Sequence, residues 1–345
     1  MNKKIFIFGA GSIGNHMANA NLRLKNQVSV TDIDYKSLIR MKNKIFPSRY
    51  GKWNSSINLI DYNEAFKKRK FDLIIIGTPP TTHLPLIKKL YSSKIQFDKV
   101  LIEKPLSSFK ENNVFLKNFN KKDIFIGYNH SVSISFSYFL REIKKEKQKI
   151  NNIFINWKEG FEGILKAHKW LKNEYNNYLG YSKLGGGAIQ EHSHGLHLAI
   201  VILNEIGVSK YQLKFYKQFA ENNPKLYDNL ALIFFNLKKI NLKLDIDLIT
   251  FPSEKNIIAE FNDKKIIWIH NYKKNQDGVK IIYKNGKEKI KFFKKTRSSE
   301  FENEIKYIFE SKTKKNYHNS RLNISYGIKV MDIIKKFFHD KKNSF

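Results

Sequence analysis

Residues 9–14 read "GAGSIG", directly after the apolar run "KIFIF" at residues 4–8. The pattern is G-x-G-x-x-G. Alone it fits a glycine-rich turn as well as a phosphate cradle, so the flanks decide. Ahead of it, continuous β-branched and aromatic residues predict a strand buried on both faces, as in a parallel sheet. Behind it, "NHMANANLRLKN" predicts a helix, and "QVSVTDID" a second strand ending in acid. Asp32 lies 18 residues beyond Gly14. Strand, glycines, helix and acid in that order make a dinucleotide-binding unit. Gly9 permits the tight turn, Gly11 lets the backbone approach a pyrophosphate, and Gly14 lets helix and strand pack closely. The N–H groups and dipole at the helix start, around Ser12 and Ile13, attract phosphate. A carboxylate at Asp32 accepts ribose hydroxyls and repels a 2′-phosphate. No arginine directly follows it, so NAD is expected in preference to NADP.

Outward from this turn the alternation continues. "KSLIRMKNKIF" predicts a helix, "FDLIIIGTPP" a strand, "HLPLIKKLYSS" a helix, "DKVLIEKPL" a strand, "SFKENNVFLKNF" a helix and "DIFIGYNH" a strand. Buried strands alternating with amphipathic helices predict a doubly wound α/β domain over residues 1–130. A second pattern fills residues 131–345. It holds a helix around Ser137–Glu146, the strand "NNIFINWKEG", and "GGGAIQEHSHGLHLAIVILNEIG", a glycine run that opens a long apolar helix. From about Tyr211 to Phe293 the strands alternate, with Ile240, Leu242, Leu244 and Ile246 on one face, which suits a largely antiparallel open sheet covered on one side. Asn285–Gly286 marks a hairpin turn. The tail from Ser299 reads as helical, with a last helix near Ile324–Phe338 that is expected to pack back on the first domain. The predicted fold class is therefore α/β, a Rossmann domain followed by an α+β domain for substrate binding and oligomerisation.

Composition bounds the partners. The chain has 345 residues and no cysteine, which removes disulfides, thiolate nucleophiles and thiolate metal sites and agrees with a cytoplasmic location. The formal charge is +32. One reading is a footprint for nucleic acid or an anionic membrane. The other is compositional drift, since the excess is scattered lysine with only seven arginines, and Asn, Ile, Phe and Tyr are also abundant. Nucleic-acid sites favour arginine for bidentate contacts, so neither nucleic acid nor membrane is expected, although the charge favours anionic ligands. No apolar run reaches the roughly 18–20 residues that span a bilayer. The opening "MNKKIFIF" resembles a signal peptide, but its apolar stretch is short and the glycines explain it as a first strand.

Four stretches together resemble a known family, the Gfo/Idh/MocA oxidoreductases (relatives of glucose–fructose oxidoreductase and inositol dehydrogenase). They are "GAGSIG"; "FDLIIIGTPPTTH", like the family's strand ending in T-P-x-x-x-H; "VLIEKPL", like its E-K-P signature; and "GGGAIQEHSHGLH", like its glycine run leading to an acid and a histidine. "IGYNH" at the domain junction also fits, and the matches run in family order along almost the whole chain.

The resemblance implies roles. Thr78, Pro79 and Pro80 border the cofactor's ribose and nicotinamide, with His83 opening the next helix. Asn129 closes the nucleotide side. Lys104 lies beside the substrate hydroxyl and the nicotinamide, where a lysine hydrogen-bonds a developing alkoxide or shares its proton. Glu103 stabilises Lys104 or the nicotinamide ribose, and Pro105 follows a cis bond. In the family's D-x-G-x-H-x-x-D pattern, Glu191 takes the first acid, His194 the histidine and His197 the last acid. His194 is three residues after Glu191 rather than four, as in relatives reading "DLSHE". On one helix, 191, 194 and 197 would share a face. The general acid or base is open among Glu191, His194 and Lys104; His194 is preferred because imidazole titrates near neutrality. His168, Trp170 and Tyr178 resemble a sugar-pocket segment, with His197 also facing substrate. Glu191, His192, His194 and His197 raise the question of a metal, but the spacing is not H-E-x-x-H and the family needs no metal for hydride transfer; none is expected.

The implied activity is NAD-dependent hydride transfer at a secondary hydroxyl or ketone of a sugar, nucleotide sugar or cyclitol, of the kind used in surface-glycan biosynthesis. The rival is a non-catalytic dinucleotide-binding regulatory or scaffold protein with the same fold. The expected partners are the small sugar or nucleotide-sugar substrate and further copies of the chain.

Overall fold

The computed structural model describes residues 2–118, 124–167, 171–220, 226–311 and 318–340. The first part of the chain runs β1 (Lys4–Phe8), α1 (Ser12–Arg23), β2 (Gln27–Thr31), α2 (Tyr35–Arg40), α3 (Phe46–Tyr50), β3 (Asn58–Leu59), β4 (Lys70–Ile76), α4 (Pro80–Ser92), β5 (Gln96–Glu103) and β6 (Ile124–Gly127). The strands form one sheet in the order β3-β2-β1-β4-β5-β6, all pairs parallel. Ile5 to Phe8 and Leu73 to Ile76 are buried throughout, as central strands with helices on both faces must be. The reversal of strand order beside β1 sets the switch point at the carboxyl ends of β1 and β4, where open α/β sheets hold ligands.

The second part runs α5 (Ile134–Lys145), β7 (Ile150–Lys158), α6 (Phe161–Ala167), α7 (Ala188–Glu191), α8 (Ser193–Glu205), β8 (Gln212–Phe219), β9 (Asp228–Asn236), β10 (Asn241–Asp247), β11 (Glu254–Phe261), β12 (Lys264–Lys273), β13 (Gln276–Tyr283) and β14 (Glu288–Lys294). Its eight strands order as β14-β13-β12-β11-β7-β10-β9-β8, antiparallel except for the β7–β10 pair. Leu242, Leu244 and Ile246 are buried on one face, as their alternation requires. The β13–β14 hairpin turns at Asn285–Gly286, where Gly286 has φ +83° and its N–H donates to Tyr283 O at 2.9 Å. The chain closes with α9 (Arg297–Glu310) and α10 (Ile324–His339).

Two compact units result. One holds residues 1–107, 111–129 and 297–328, the other 108–110, 130–296 and 329–345. Where the sequence reading cuts once near residue 130, the units exchange segments, and the division falls inside α10. Within the first unit α9 packs on α1: Asn19 Nδ2 donates to Ser298 Oγ at 2.9 Å, and the His16 ring stacks on Phe301 at 5.1 Å. The segment before α10 extends the sheet edge, with Ile126 N–H donating to Leu322 O at 2.8 Å.

Three local expectations change. The helix expected over "SFKENNVFLKNF" is only a 3-10 turn at Val114–Asn118 among the described residues, because Asn112 Oδ1 takes the Val114 N–H and Gln190 Oε1 takes that of Phe109. The helix of "KSLIRMKNKIF" passes through a π turn at Met41–Ile45 before α3. The long helix after the glycine run breaks at His192, so Glu191 ends α7 while His194 and His197 stand on α8. His192 leaves the helical ladder (φ −94°, ψ 22°), and its Nε2 engages Glu159 O at 3.0 Å. The three residues therefore do not share one continuous helix face.

Candidate active site

The glycine turn is built as its sequence demands. Gly9 has φ +103°, and a Cβ there would lie 2.7 Å from Gly77 O. A Cβ at Gly14 would lie 1.9 Å from Gly9 O, so α1 can sit this close to β1 only without a side chain. A Cβ at Gly11 would meet nothing within 4 Å; the backbone there faces open space at the first turn of α1, which has no side-chain cap. Free helix-start N–H groups beside open space are what a pyrophosphate needs, so the residues present fit the dinucleotide. Asn15 holds the turn from behind, its amide donating to Ala10 O at 3.0 Å and Gly11 O at 2.8 Å.

Asp32 is half-buried at the end of β2. Its Oδ2 accepts the Ala10 N–H at 2.7 Å and its Oδ1 that of Asp34 at 2.9 Å. The carboxylate thus latches the glycine loop to the second strand, and each oxygen keeps a lone pair for a ribose hydroxyl. Arg49 is a residue the sequence reading missed. Its guanidinium donates to Ser12 O at 3.1 Å and Ser12 Oγ at 3.0 Å, and burial lowers its pKa. It brings a cation to the start of α1, yet it sits in "FPSRY", far from the glycines and in no recognisable motif.

Thr78, Pro79 and Pro80 follow β4 and open α4, with Thr82 Oγ1 donating to Pro79 O at 2.7 Å. His83 is fully buried and has no surface left for a ligand. Its Nε2 lies 2.8 Å from Thr78 O, and its Nδ1 3.1 Å from Pro105 O and 3.3 Å from Leu106 O. These carbonyls favour the protonated ring, but burial outweighs them and lowers the pKa to about 4. His83 fills the space between the T-P-P turn and the E-K-P turn, and the neutral ring that burial favours donates its one N–H to a carbonyl of one of them. Lys104 is half-buried at the end of β5, and the Lys104–Pro105 peptide is cis. Asn129 is buried just past β6.

Beneath Lys104 lies a carboxyl pair. Glu103 packs over Gly127, where a Cβ would come within 2.9 Å of its carboxyl carbon. Burial lifts Glu103 to about 7 against the charges of Lys104 and Arg297. Glu304, on α9, is raised well above the carboxylate range by burial and then by the Glu103 charge, with Arg297 opposing and Glu300 adding. Among the described residues, neither oxygen of Glu304 nor Oε1 of Glu103 has a hydrogen-bond partner. Two buried acids that repel one another hold a proton at neutral pH.

In the second unit the glycine run is held by two side chains absent from the sequence reading. Asp228 is fully buried and accepts the Ile189 N–H at 2.8 Å and the Ser182 hydroxyl at 3.2 Å, binding the start of α7. A Cβ at Gly187 (φ +83°) would lie 2.2 Å from its Oδ1. Burial raises Asp228 to about 6, with the Ile189 and Ser182 bonds and Lys217 opposing. Gln190 donates to Ser182 O at 2.7 Å and Gly186 O at 2.8 Å. Glu191 and His194 are half-buried, and His197 is fully buried on α8. Tyr178 is half-buried in a 3-10 turn. His168 and Trp170 lie outside the described residues.

A cavity of about 630 Å³ lies elsewhere, lined by Lys4, Gln27, Asp61, Glu64 and Lys70 at the amino ends of the first unit's strands. Ligands of such sheets bind at the carboxyl ends, so this cavity is not the nucleotide site. Among the described residues no helix is long and apolar enough to cross a membrane.

A doubly wound sheet with an open glycine turn, followed by a mainly antiparallel sheet, defines the class: a two-unit protein whose first unit carries a dinucleotide-binding Rossmann sheet. Residues 3–130 match the model of the GFO_IDH_MocA family, described as an oxidoreductase family with an NAD-binding Rossmann fold. Over that stretch the chain is similar to the NAD-binding Rossmann domain of this oxidoreductase family. In structure it is similar to an inositol dehydrogenase homolog from Azotobacter vinelandii complexed with NAD+, with TM-score 0.73 and 13% identity over 97% of this chain and 94% of that one. It is similar to a 3-ketoreductase from Actinomadura kijaniata in complex with NADP and TDP-benzene, with TM-score 0.73 and 9% identity over 100% of both chains. It is also similar to a UDP-N-acetylglucosamine 3-dehydrogenase from Acidithiobacillus ferrooxidans, with TM-score 0.65 and 13% identity over 98% of this chain and 100% of that one. At such identities the likeness carries the fold. No curated protein matches the chain.

Proposed function

We propose that the protein moves a hydride between NAD and a secondary hydroxyl or ketone of a sugar, nucleotide sugar or cyclitol. The observation that carries this is the open backbone at Gly11, with the Asp32 carboxylate latched to the same loop. A carboxylate there accepts ribose hydroxyls and repels a 2′-phosphate, which supports NAD over NADP. The substrate class is supported by the three structural relatives, whose names concern inositol, a TDP ligand and a UDP-sugar. The +32 charge agrees with an anionic nucleotide sugar.

The hydride chemistry belongs to the nicotinamide ring; positioning and proton handling fall to the chain. The N–H groups of the Gly11–Gly14 turn hold the pyrophosphate, with the Arg49 charge beside them. His83 braces the turns that carry Thr78–Pro80 and Lys104. Lys104 hydrogen-bonds the reacting oxygen and stabilises it as an alkoxide. His194 takes the hydroxyl proton and Glu191 orients it. His168, Trp170 and Tyr178 contribute to sugar binding, and the chain works as a homo-oligomer.

Stopped-flow hydride transfer, with NAD and NADP against a panel of nucleotide sugars and myo-inositol, tests this on the parent, Lys104→Ala, His194→Ala and the double variant. NAD is expected to bind more tightly. Each single variant is expected to lose about two to four orders of magnitude in kcat, and the double variant less than the sum, because the two residues act as a unit. Parent-rate turnover by either variant removes that residue's role, and equal or reversed cofactor affinity removes the NAD assignment.

A further inference from the structure

His194 stands at one end of a row of imidazoles within the second unit. Its ring meets His130 edge to face, with centroids 4.6 Å apart and planes at 71°. His130 meets His270 the same way, at 4.5 Å and 74°. Beyond His270 comes Asp277, with Nδ1 3.3 Å from Oδ1. Lys295 Nζ lies 2.7 Å from that same oxygen and 2.7 Å from His270 Nδ1. The far end is anchored: Asp277 accepts the Ser135 hydroxyl at 2.6 Å and the Asn271 N–H at 3.0 Å, and Ser135 Oγ accepts the Trp268 indole N–H at 2.9 Å.

The row is deliberately walled. The fully buried Trp157 ring lies 5.1 Å from His130, 5.9 Å from His194 and 5.8 Å from His270. Gly195 makes this possible: a Cβ there would sit 2.8 Å from Trp157 Cβ, so only glycine lets α8 bring His194 against β7. Three imidazoles and an ion pair in such a place are costly to desolvate, and apolar side chains of similar size would fill the volume with no such cost. Packing alone does not call for them.

We propose that His130, His270 and Asp277 are positioning residues for His194: the row fixes its ring and carries the charge of the Asp277–Lys295 pair to the proton it holds. The proposal rests on the reading of His194 as the proton-handling residue. The other charged and titratable groups around the row in this unit are Glu191, His192 and His197 on the same stretch of chain, and the ion pair of Glu159, just after β7, with Lys255 on β11, whose carboxylate feels His192 and His270. Adjacent imidazoles at these separations titrate as a coupled set, since a proton on one disfavours a proton on the next. An anion at the end of the row favours the protonated rings, and a cation disfavours them.

Two opposite shifts follow. In the full-length chain, with and without NAD, side-chain ¹⁵N–¹H NMR follows each imidazole through a pH titration, and His194→Gln assigns the His194 signals. Asp277→Asn is expected to lower the His194 titration midpoint by about half a pH unit or more, and Lys295→Gln to raise it by a similar amount. In a His130→Phe background both shifts are expected to fall to less than about half. A merely structural row would not give opposite signs. Shifts of one sign, no shift in either variant, or full shifts persisting without His130 overturn the proposal. Should Asp277→Asn not fold, Lys295→Gln decides alone, and absence of a rise overturns it. A parent rate of hydride transfer in His194→Ala would instead remove the catalytic reading of His194 and leave the measured coupling standing.

Discussion

Asp277 in the second unit and Glu304 in the first are almost equally hidden from water, at 2% and 0% exposure, yet they titrate in opposite directions. Burial pushes both carboxyls up. For Asp277 the hydrogen bond and charge of His270, together with Lys295, overturn that push and hold the group far below the usual carboxylate range. For Glu304 the neighbouring Glu103 adds to the push, and the Arg297 charge does not cancel it. The difference is in the donors. Asp277 accepts from a hydroxyl and a backbone N–H and lies against the Lys295 ammonium and the His270 ring, while neither oxygen of Glu304 has a hydrogen-bond partner among the described residues. Depth alone does not set a buried acid's charge; what is aimed at its ionised form does.

The sharpest way to break this contrast is Asp277→Ala. It leaves the Lys295 ammonium without its counter-charge, a loss of about 3–5 kcal/mol that lowers Tm by roughly ten degrees. The folded pKa is depressed, so the stability exists above the unfolded value of 3.8 and is lost as pH falls. In thermal melts at a series of pH values, the deficit of Asp277→Asn against the parent is therefore expected to close as the solution is acidified below about pH 4. A deficit independent of pH would show that the charge is not what matters.

Glu304→Gln should act with the other sign. Both Glu103 and Glu304 have raised folded pKa values, so their contribution is full below the unfolded value of 4.5 and is lost as pH rises through the folded range, about 7 for Glu103. The amide has no proton to lose. At about pH 8 the variant is expected to be more stable than the parent by roughly 2 kcal/mol, with no gain near pH 4. Urea unfolding at the two pH values measures this, and a variant weaker than the parent at the higher pH would show that the ionised pair is stabilising.

The smallest effect comes from Ser135→Ala. Its hydroxyl joins Asp277 to the Trp268 indole, and losing it costs about 1 kcal/mol while lifting the Asp277 pKa by removal of one donor. NMR titration of the carboxyl carbon, beside a thermal melt, tests both; an unmoved titration would confine the anchoring of Asp277 to its cations.

Much of this was legible where chemistry and sequence run together. The Gly9–Gly14 turn, its flanking β1 and α1, and Asp32 lie within one short stretch, and each declares itself through a local rule of pattern, φ or spacing. So did the Asn285–Gly286 hairpin, while the cis peptide at Lys104–Pro105 was expected only through the E-K-P resemblance. The single helix expected from Ala188 to Glu205 was not, because its break at His192 depends on a carbonyl of Glu159, 33 residues away. Asp228, which holds the start of α7, stands 39 residues from the N–H it accepts.

The sequence by itself thus determined the periods of the strands and helices, the places where only glycine fits, and the dinucleotide-binding pattern of its first 130 residues. The tertiary structure decided which polar groups are dry and who faces them. Lys104 announces itself through E-K-P, but Glu304 comes to the Glu103 beneath it from about two hundred residues further on. Arg49 reaches Ser12 across 37 positions, and Asp277 meets Ser135 across 142. No local pattern encodes such meetings, because they arise from how strands order and helices pack, and charge in a protein interior is set by those neighbours rather than by residue type.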